Sequence, residues 1–220
     1  MKAILYADWM NFRLSIKSML LAPVIFLVWA VIAEQPIFFF SMLVVMGYMF
    51  PSTAFSAEQS AGWDRLSLSL PILRHEVVAS RFLLALAVNL TLFACSLVFA
   101  TFYCLAHGQP QALMENYVSV LACEAVAVIM IGVEMAVAFK WGIQKAGYIM
   151  LAAFFLPLAL VFAAVSLEIR IPLLAAAGRW LAGVDERRFV FLLLGCLSVA
   201  LMVYLLCYRV SVRLYRKKEL

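Results

Sequence analysis

The sequence predicts an all-α, polytopic membrane protein, and three observations carry that expectation. First, 67% of the residues are hydrophobic and only 13% are charged, with a mean hydropathy of +1.05. A soluble domain is about half apolar and a quarter charged. Second, the apolar residues gather into six runs, most of them near the roughly 20 residues a helix needs to cross a bilayer. Third, the basic residues lie between the runs rather than inside them, so the net charge of +5 reads as topology information and not as a nucleic-acid surface. The whole chain, 1–220, reads as a single membrane domain with little soluble mass.

Residues 3–17 are amphipathic. At about 100° per residue, Leu5, Trp9, Phe12 and Ile16 share one face, while Asn11, Arg13, Ser15 and Lys17 point mostly elsewhere. A helix of this kind lies in the interface with its Trp at headgroup level. Asp8, Asn11, Arg13 and Lys17 also argue against a cleavable signal. The spans are expected at about 18–33, 36–57, 77–106, 117–139, 146–167 and 189–208. Only Glu34 and Gln35 separate the first two, which form a tight antiparallel pair. Pro51 and Pro157 should kink the second and fifth spans. His107-Gly108-Gln109-Pro110 reads as a turn, and Lys140 to Lys145, with Gly142 inside it, as a short basic turn. Residues 168–188 form a polar segment that fits an interfacial helix on the outer surface. With the N-terminus inside, the inner segments carry thirteen Lys and Arg residues and the outer ones four. That bias places both termini in the cytoplasm.

The segment from Phe55 to Arg81 is longer than a connector needs to be. It holds Glu58, Asp64, Arg65, Arg74, His75, Glu76 and Arg81, with Trp63, Leu66, Leu68 and Leu70 interleaved. A short amphipathic helix across the membrane surface accommodates this pattern. Two readings follow: a solvated loop with an interfacial helix, or a docking element for a cytoplasmic partner.

The run GWDRLSLSLPILRHEVVASR resembles the loop between the second and third spans of ABC-2-type transporter permeases, and Leu70, Pro71, Ile72, Arg74, Glu76 and Val77 carry the match. Phe139-Lys140-Trp141-Gly142 with Lys145 resembles that family's basic turn after span four, and Ser211 to Glu219 its basic tail. Where the family would place a proline near the end of span four, this chain has Ala136-Val137-Ala138.

The resemblance implies a membrane-spanning permease subunit of an ATP-driven exporter in the plasma membrane of a prokaryote. It implies a separate ATP-binding subunit, which holds the ATP and Mg, docked beneath the coupling helix in the 58–76 loop. It also implies a second permease, either another copy or a homologue. Glu58, Trp63, Asp64, Arg65, Leu66 and Leu70 would form the dock: Trp63, Leu66 and Leu70 seated in the ATPase groove, Glu58, Asp64 and Arg65 fixing register. Substrates in the family range from antimicrobial peptides to lipids and small toxins.

The chain carries no chemistry of its own that the residues reveal. No glycine is followed by lysine, so the phosphate-binding loop G-x-x-x-x-G-K-[ST] is absent. Thr91, Ser96, Thr101, Glu124 and Glu134 form no familiar catalytic constellation. The five cysteines lie in apolar runs without a CxxC pair, so neither a zinc site nor a disulfide framework is indicated. Glu124 and Glu134 stand inside the fourth span, about 15 Å apart along its axis and about 80° apart around it. A buried acid in lipid is costly and faces either a partner helix or a path; the two are candidates for a translocation path as well as for structural hydrogen bonding. Two other classes stay open: a membrane enzyme acting on lipid without any ATPase, and a non-transporting anchor or sensor.

Overall fold

The computed structural model describes residues 21–42, 44–46, 49, 53, 74–153 and 186–216. Among them there are helices and turns and no strand. The helices are α1 (Leu21–Ile32), α2 (Ile37–Met46), α3 (Arg74–Ala106), α4 (Leu113–Trp141), α5 (residues 143–153) and α6 (Glu186–Arg216). Three are long and apolar enough to cross a membrane, over His75–Ala106, Leu113–Trp141 and Val190–Tyr215. The N-terminal helix at 3–17, the 58–73 part of the loop, Pro51, Pro157 and the polar segment up to residue 185 lie outside the described residues.

Two turns end their helices the same way. After α1, Gln35 N–H reaches Ala30 O at 3.1 Å and Glu34 N–H reaches Val31 O at 3.4 Å, with Glu34 at φ 54°. After α3, Gln109 N–H reaches Cys104 O at 3.0 Å and Gly108 N–H reaches Leu105 O at 3.3 Å, with Gly108 at φ 63°. Both are Schellman closures, which satisfy helix-end carbonyls through a left-handed residue. Glycine takes that conformation freely. Glu34 does so at a cost of about 1 kcal/mol or more, which the two-residue link between α1 and α2 imposes. A single 3₁₀ turn, Pro110–Ala112, then leads into α4.

Three boundaries differ from the sequence expectation. α4 begins at Leu113 rather than near Tyr117, because the 3₁₀ turn passes directly into the helix. The basic turn at 140–145 shrinks to Gly142, whose φ of 83° breaks the helix after Trp141 before helix resumes at 143. α6 starts at Glu186 and runs to Arg216, so the tail arginines Arg209 and Arg213 ride on a continuous helix. Every backbone group in lipid must find an internal partner, and extending the helix beyond the apolar stretch meets that need at its ends.

The core has two parts. Between α3, α4 and α6 it gathers around Phe82, whose ring lies 6.4 Å from Phe139, 5.2 Å from Tyr204 and 5.5 Å from Tyr208. Between α1, α2, α3 and α4 it holds Ala30, Phe39, Phe40, Met42, Met46, Ala100, Val120 and Ala127. There Phe39 packs 4.2 Å from Phe99.

α4 packs most extensively against α6. At Gly132 the two helices come close: a Cβ there would lie 3.1 Å from Tyr204 Cδ2 and 3.3 Å from Tyr204 Cα. Small residues at such crossings let two backbones meet where no hydrophobic effect drives helices together in lipid. Further along, Phe139 meets Tyr215 at 5.6 Å. Because Gly132 meets Tyr204 and Phe139 meets Tyr215, α4 and α6 run parallel, whereas α3 runs antiparallel to α4. Tyr204 adds the third helix by donating its hydroxyl to Phe82 O at 2.6 Å.

Gly132→Leu should therefore drive α6 off α4 and cost about 1–3 kcal/mol, as overpacking does. Tyr204→Phe should keep the ring contacts and lose only the hydrogen bond, about 0.5–1.5 kcal/mol. Thermal unfolding in detergent or nanodiscs ranks the two; equal stability of Gly132→Leu and wild type would contradict the close crossing.

Candidate functional site

The dock residues expected from sequence, Glu58, Trp63, Asp64, Arg65, Leu66 and Leu70, lie outside the described residues. The described structure takes up the same segment at Arg74, where α3 begins. Its first turns enter the bundle at once: Val77, Val78, Ser80 and Arg81 are buried. Ser80 Oγ donates to Val77 O at 3.0 Å, and the Arg81 guanidinium carbon sits 5.5 Å from the centre of the Phe139 ring. A guanidinium over an aromatic face keeps a favourable electrostatic partner inside an apolar bundle.

Glu124 and Glu134 are both buried within the single chain, at 2% and 0% relative exposure. Their surroundings differ. Glu124 faces α3, where Asn89 Nδ2 donates to Glu124 Oε1 at 2.6 Å. Glu134 lies among buried residues of α4 that include Met135 and Ala138, and neither of its oxygens has a hydrogen-bond partner among the described residues. Its direction around α4 is close to that of Ala127, which belongs to the core shared with α1 and α2. The structure thus separates the two acids: one is tied to a neighbouring long helix, the other has no hydrogen-bond partner among the described residues.

The hydroxyls that sequence reading weighed as nucleophiles are turned back on their own helices. Thr91 donates to Ala87 O and Thr101 to Leu97 O, each at 2.8 Å. Such bonds to the preceding turn satisfy the hydroxyl locally. Thr101 also meets Tyr117 Oη at 2.9 Å, across the α3–α4 turn. Ser96 is fully buried and its Oγ has no hydrogen-bond partner among the described residues. Among those residues no group of three His, Cys, Asp or Glu side chains could hold a metal ion. His107 stacks on Tyr103 at 4.2 Å beside the turn.

Two partners escaped the sequence reading. Asn89 is 1% exposed and supplies the bond to Glu124. Its signal was present, since a primary amide in the middle of the 77–106 apolar run has to meet something polar. Tyr204 gave no comparable signal, because a tyrosine near a span end is common at membrane interfaces.

The long apolar helices, their small-residue crossing and their buried polar contacts define an α-helical integral membrane protein. A family model described as ABC-2 family transporter protein matches residues 4–216. The chain belongs to this family, and it is a transmembrane permease of the ABC-2 type. No curated protein and no solved structure matches the chain.

Proposed function

We propose that the chain is the membrane half of an ATP-driven exporter, coupled through its 58–76 loop to a separate ATP-binding subunit and completed by a second permease, either another copy or a homologue. The family match over 4–216 is the observation that carries this reading. ATP and Mg belong to the partner subunit, whose closure pushes the docked loop. Trp63, Leu66 and Leu70 fill its groove, and Glu58, Asp64 and Arg65 set the register.

The proposed layout is six spans in one membrane domain, an interfacial helix over 3–17 and both termini on the cytoplasmic side of a prokaryotic plasma membrane. The parallel run of α4 and α6 supports it. A chain that leaves α4 at one face and enters α6 at the other must cross once between them, and the expected fifth span over 146–167 supplies that crossing. The described start of this segment, residues 143–153, is helical and buries Ala146 and Met150.

Of the two acids, Glu134 is the one we assign to the path. It has no hydrogen-bond partner among the described residues and stands nearer the basic, inner end of α4. An acid held there attracts a cationic or amphipathic substrate.

Three experiments test these assignments. Single cysteines at Gln109, Gly183 and Ser60, in a cysteine-free background, should label with an impermeant thiol reagent from outside at the first two and not at the third. External labelling at Ser60 overturns the topology. Trp63→Asp and Leu66→Asp should each weaken association with the ATP-binding subunit by at least about 2 kcal/mol while the permease still folds. Unchanged co-purification and unchanged coupled ATPase activity would remove the dock. Glu134→Gln should lower export of a cationic substrate while expression and basal ATPase activity hold; wild-type export by that variant returns Glu134 to a structural role.

A further inference from the structure

We propose that Glu124 and Asn89 form a proton-binding site between α3 and α4, in which a proton on Glu124 Oε2 is donated to Asn89 Oδ1 and clamps the two helices together. One bond of this pair is already in place, Asn89 Nδ2 to Glu124 Oε1 at 2.6 Å. The atoms left over are Asn89 Oδ1 and Glu124 Oε2, both buried and both without a hydrogen-bond partner among the described residues. Two oxygens without hydrogen cannot satisfy each other. A single proton converts them into donor and acceptor and closes the acid–amide ring. An unmade hydrogen bond on a buried group costs about 1–3 kcal/mol, and an unpaired buried charge costs more.

No other group at this level offers a countercharge among the described residues. Along α3, Arg81 lies eight residues before Asn89, about 12 Å away along the axis. On α4 the neighbouring titratable group is Cys123, half-buried, and Glu115 and Glu134 are nine and ten residues off. α6 passes this level near Leu197 and buried Ala200, with Cys196 exposed, while Tyr204 and Cys207 lie beside Gly132, eight residues further along α4. The α1–α2 side of the core is apolar, with Ala30, Phe39, Phe40, Met42 and Met46.

The site also has a release step. When α3 and α4 part, water replaces the Asn89 amide at Glu124. The Oε2–H bond then breaks, the proton passes to water and the carboxylate stays hydrated. Reclosing takes one proton back. A movement that separates these helices is thereby linked to release and uptake of one proton per chain. The site needs only α3 and α4, whatever the substrate or partner of the permease.

Infrared spectroscopy of the full chain in lipid nanodiscs at neutral pH, with isotope-labelled glutamate carboxyls, reads the site directly. Wild type should show the carbonyl stretch of a protonated carboxylic acid. Glu124→Gln should remove its share of that band, and Glu134→Gln should leave the same share in place. Asn89→Leu should move the Glu124 component to higher frequency, since the carbonyl loses its donor; a side chain that merely fills space would not move it. Glutamine reproduces both bonds of the closed ring, so Glu124→Gln should fold and melt like wild type. The proposal fails if the band is unchanged in Glu124→Gln, if Glu124 proves to be a carboxylate whose signal responds to sodium, or if Glu124→Gln does not fold.

Discussion

The close crossing of α4 and α6 at Gly132 is the constraint on which the described bundle depends. A Cβ at that position would press within 3.3 Å of the α6 backbone, so the interhelical distance is set by the missing side chain. Helices in lipid gain nothing from burying apolar surface that lipid would cover equally well; contact must come from close packing and from hydrogen bonds. Gly132 supplies the first. Tyr204 supplies the second from the same place, since it packs on Gly132 and gives its hydroxyl to Phe82 O. One residue of α6 thereby fixes its distance to α4 and its height on α3. The Phe82 ring, between Phe139, Tyr204 and Tyr208, fills the space the three helices enclose.

What the sequence made legible follows the strength of the local signal. The apolar runs over 77–106 and 117–139 correspond to α3 and α4 within a few residues, because such runs leave the backbone no alternative to helix in lipid. The turn at His107–Pro110 was readable for a local reason as well, with Gly108 offering the left-handed conformation that closes α3. Glu34 takes the same conformation without being glycine, and nothing in its own residue type announces that. α4 and α6 extend past the expected spans because hydropathy marks where lipid stops, whereas a helix stops where its hydrogen bonding does. Interhelical pairs were the least legible feature. Glu124 was visible as a buried acid, but its partner Asn89 stands 35 residues away, and only the antiparallel register of α3 and α4 brings them level.

The polar residues of the bundle sort by what they hold. Thr91 and Ser80 donate to the preceding turn of their own helix, and Thr101 does so while also meeting Tyr117 Oη on α4. Tyr204 and Asn89 bond to another helix. Tyr204 reaches a backbone carbonyl, an acceptor that does not change. Asn89 reaches a carboxyl group, an acceptor that changes with its proton. The Tyr204 and Asn89 ties on α3 thus differ in kind. One is permanent as long as the helices touch, and the other is conditional.

That difference bears on how a push on the loop before α3 would travel. α3 is unbroken from Arg74 to Ala106, 33 residues and roughly 50 Å by helix rise, so it exceeds a hydrocarbon core of about 30 Å. A force applied at its first turn acts on a lever and not on a hinge. Phe82, two turns along, is held to α6 through Tyr204, and Asn89, two further turns along, is held to α4 through Glu124. Rotation of α3 about the Phe82 contact would keep α3 with α6 and separate it from α4 at Asn89. In the proposed exporter a tilting α3 therefore strains its ties to α4, the conditional one at Asn89 and, farther from Phe82, the Thr101–Tyr117 bond. Between Phe82 and Asn89 the lever arm is seven residues, about 10 Å, so a tilt of about ten degrees already displaces Asn89 by nearly 2 Å, more than a hydrogen bond tolerates.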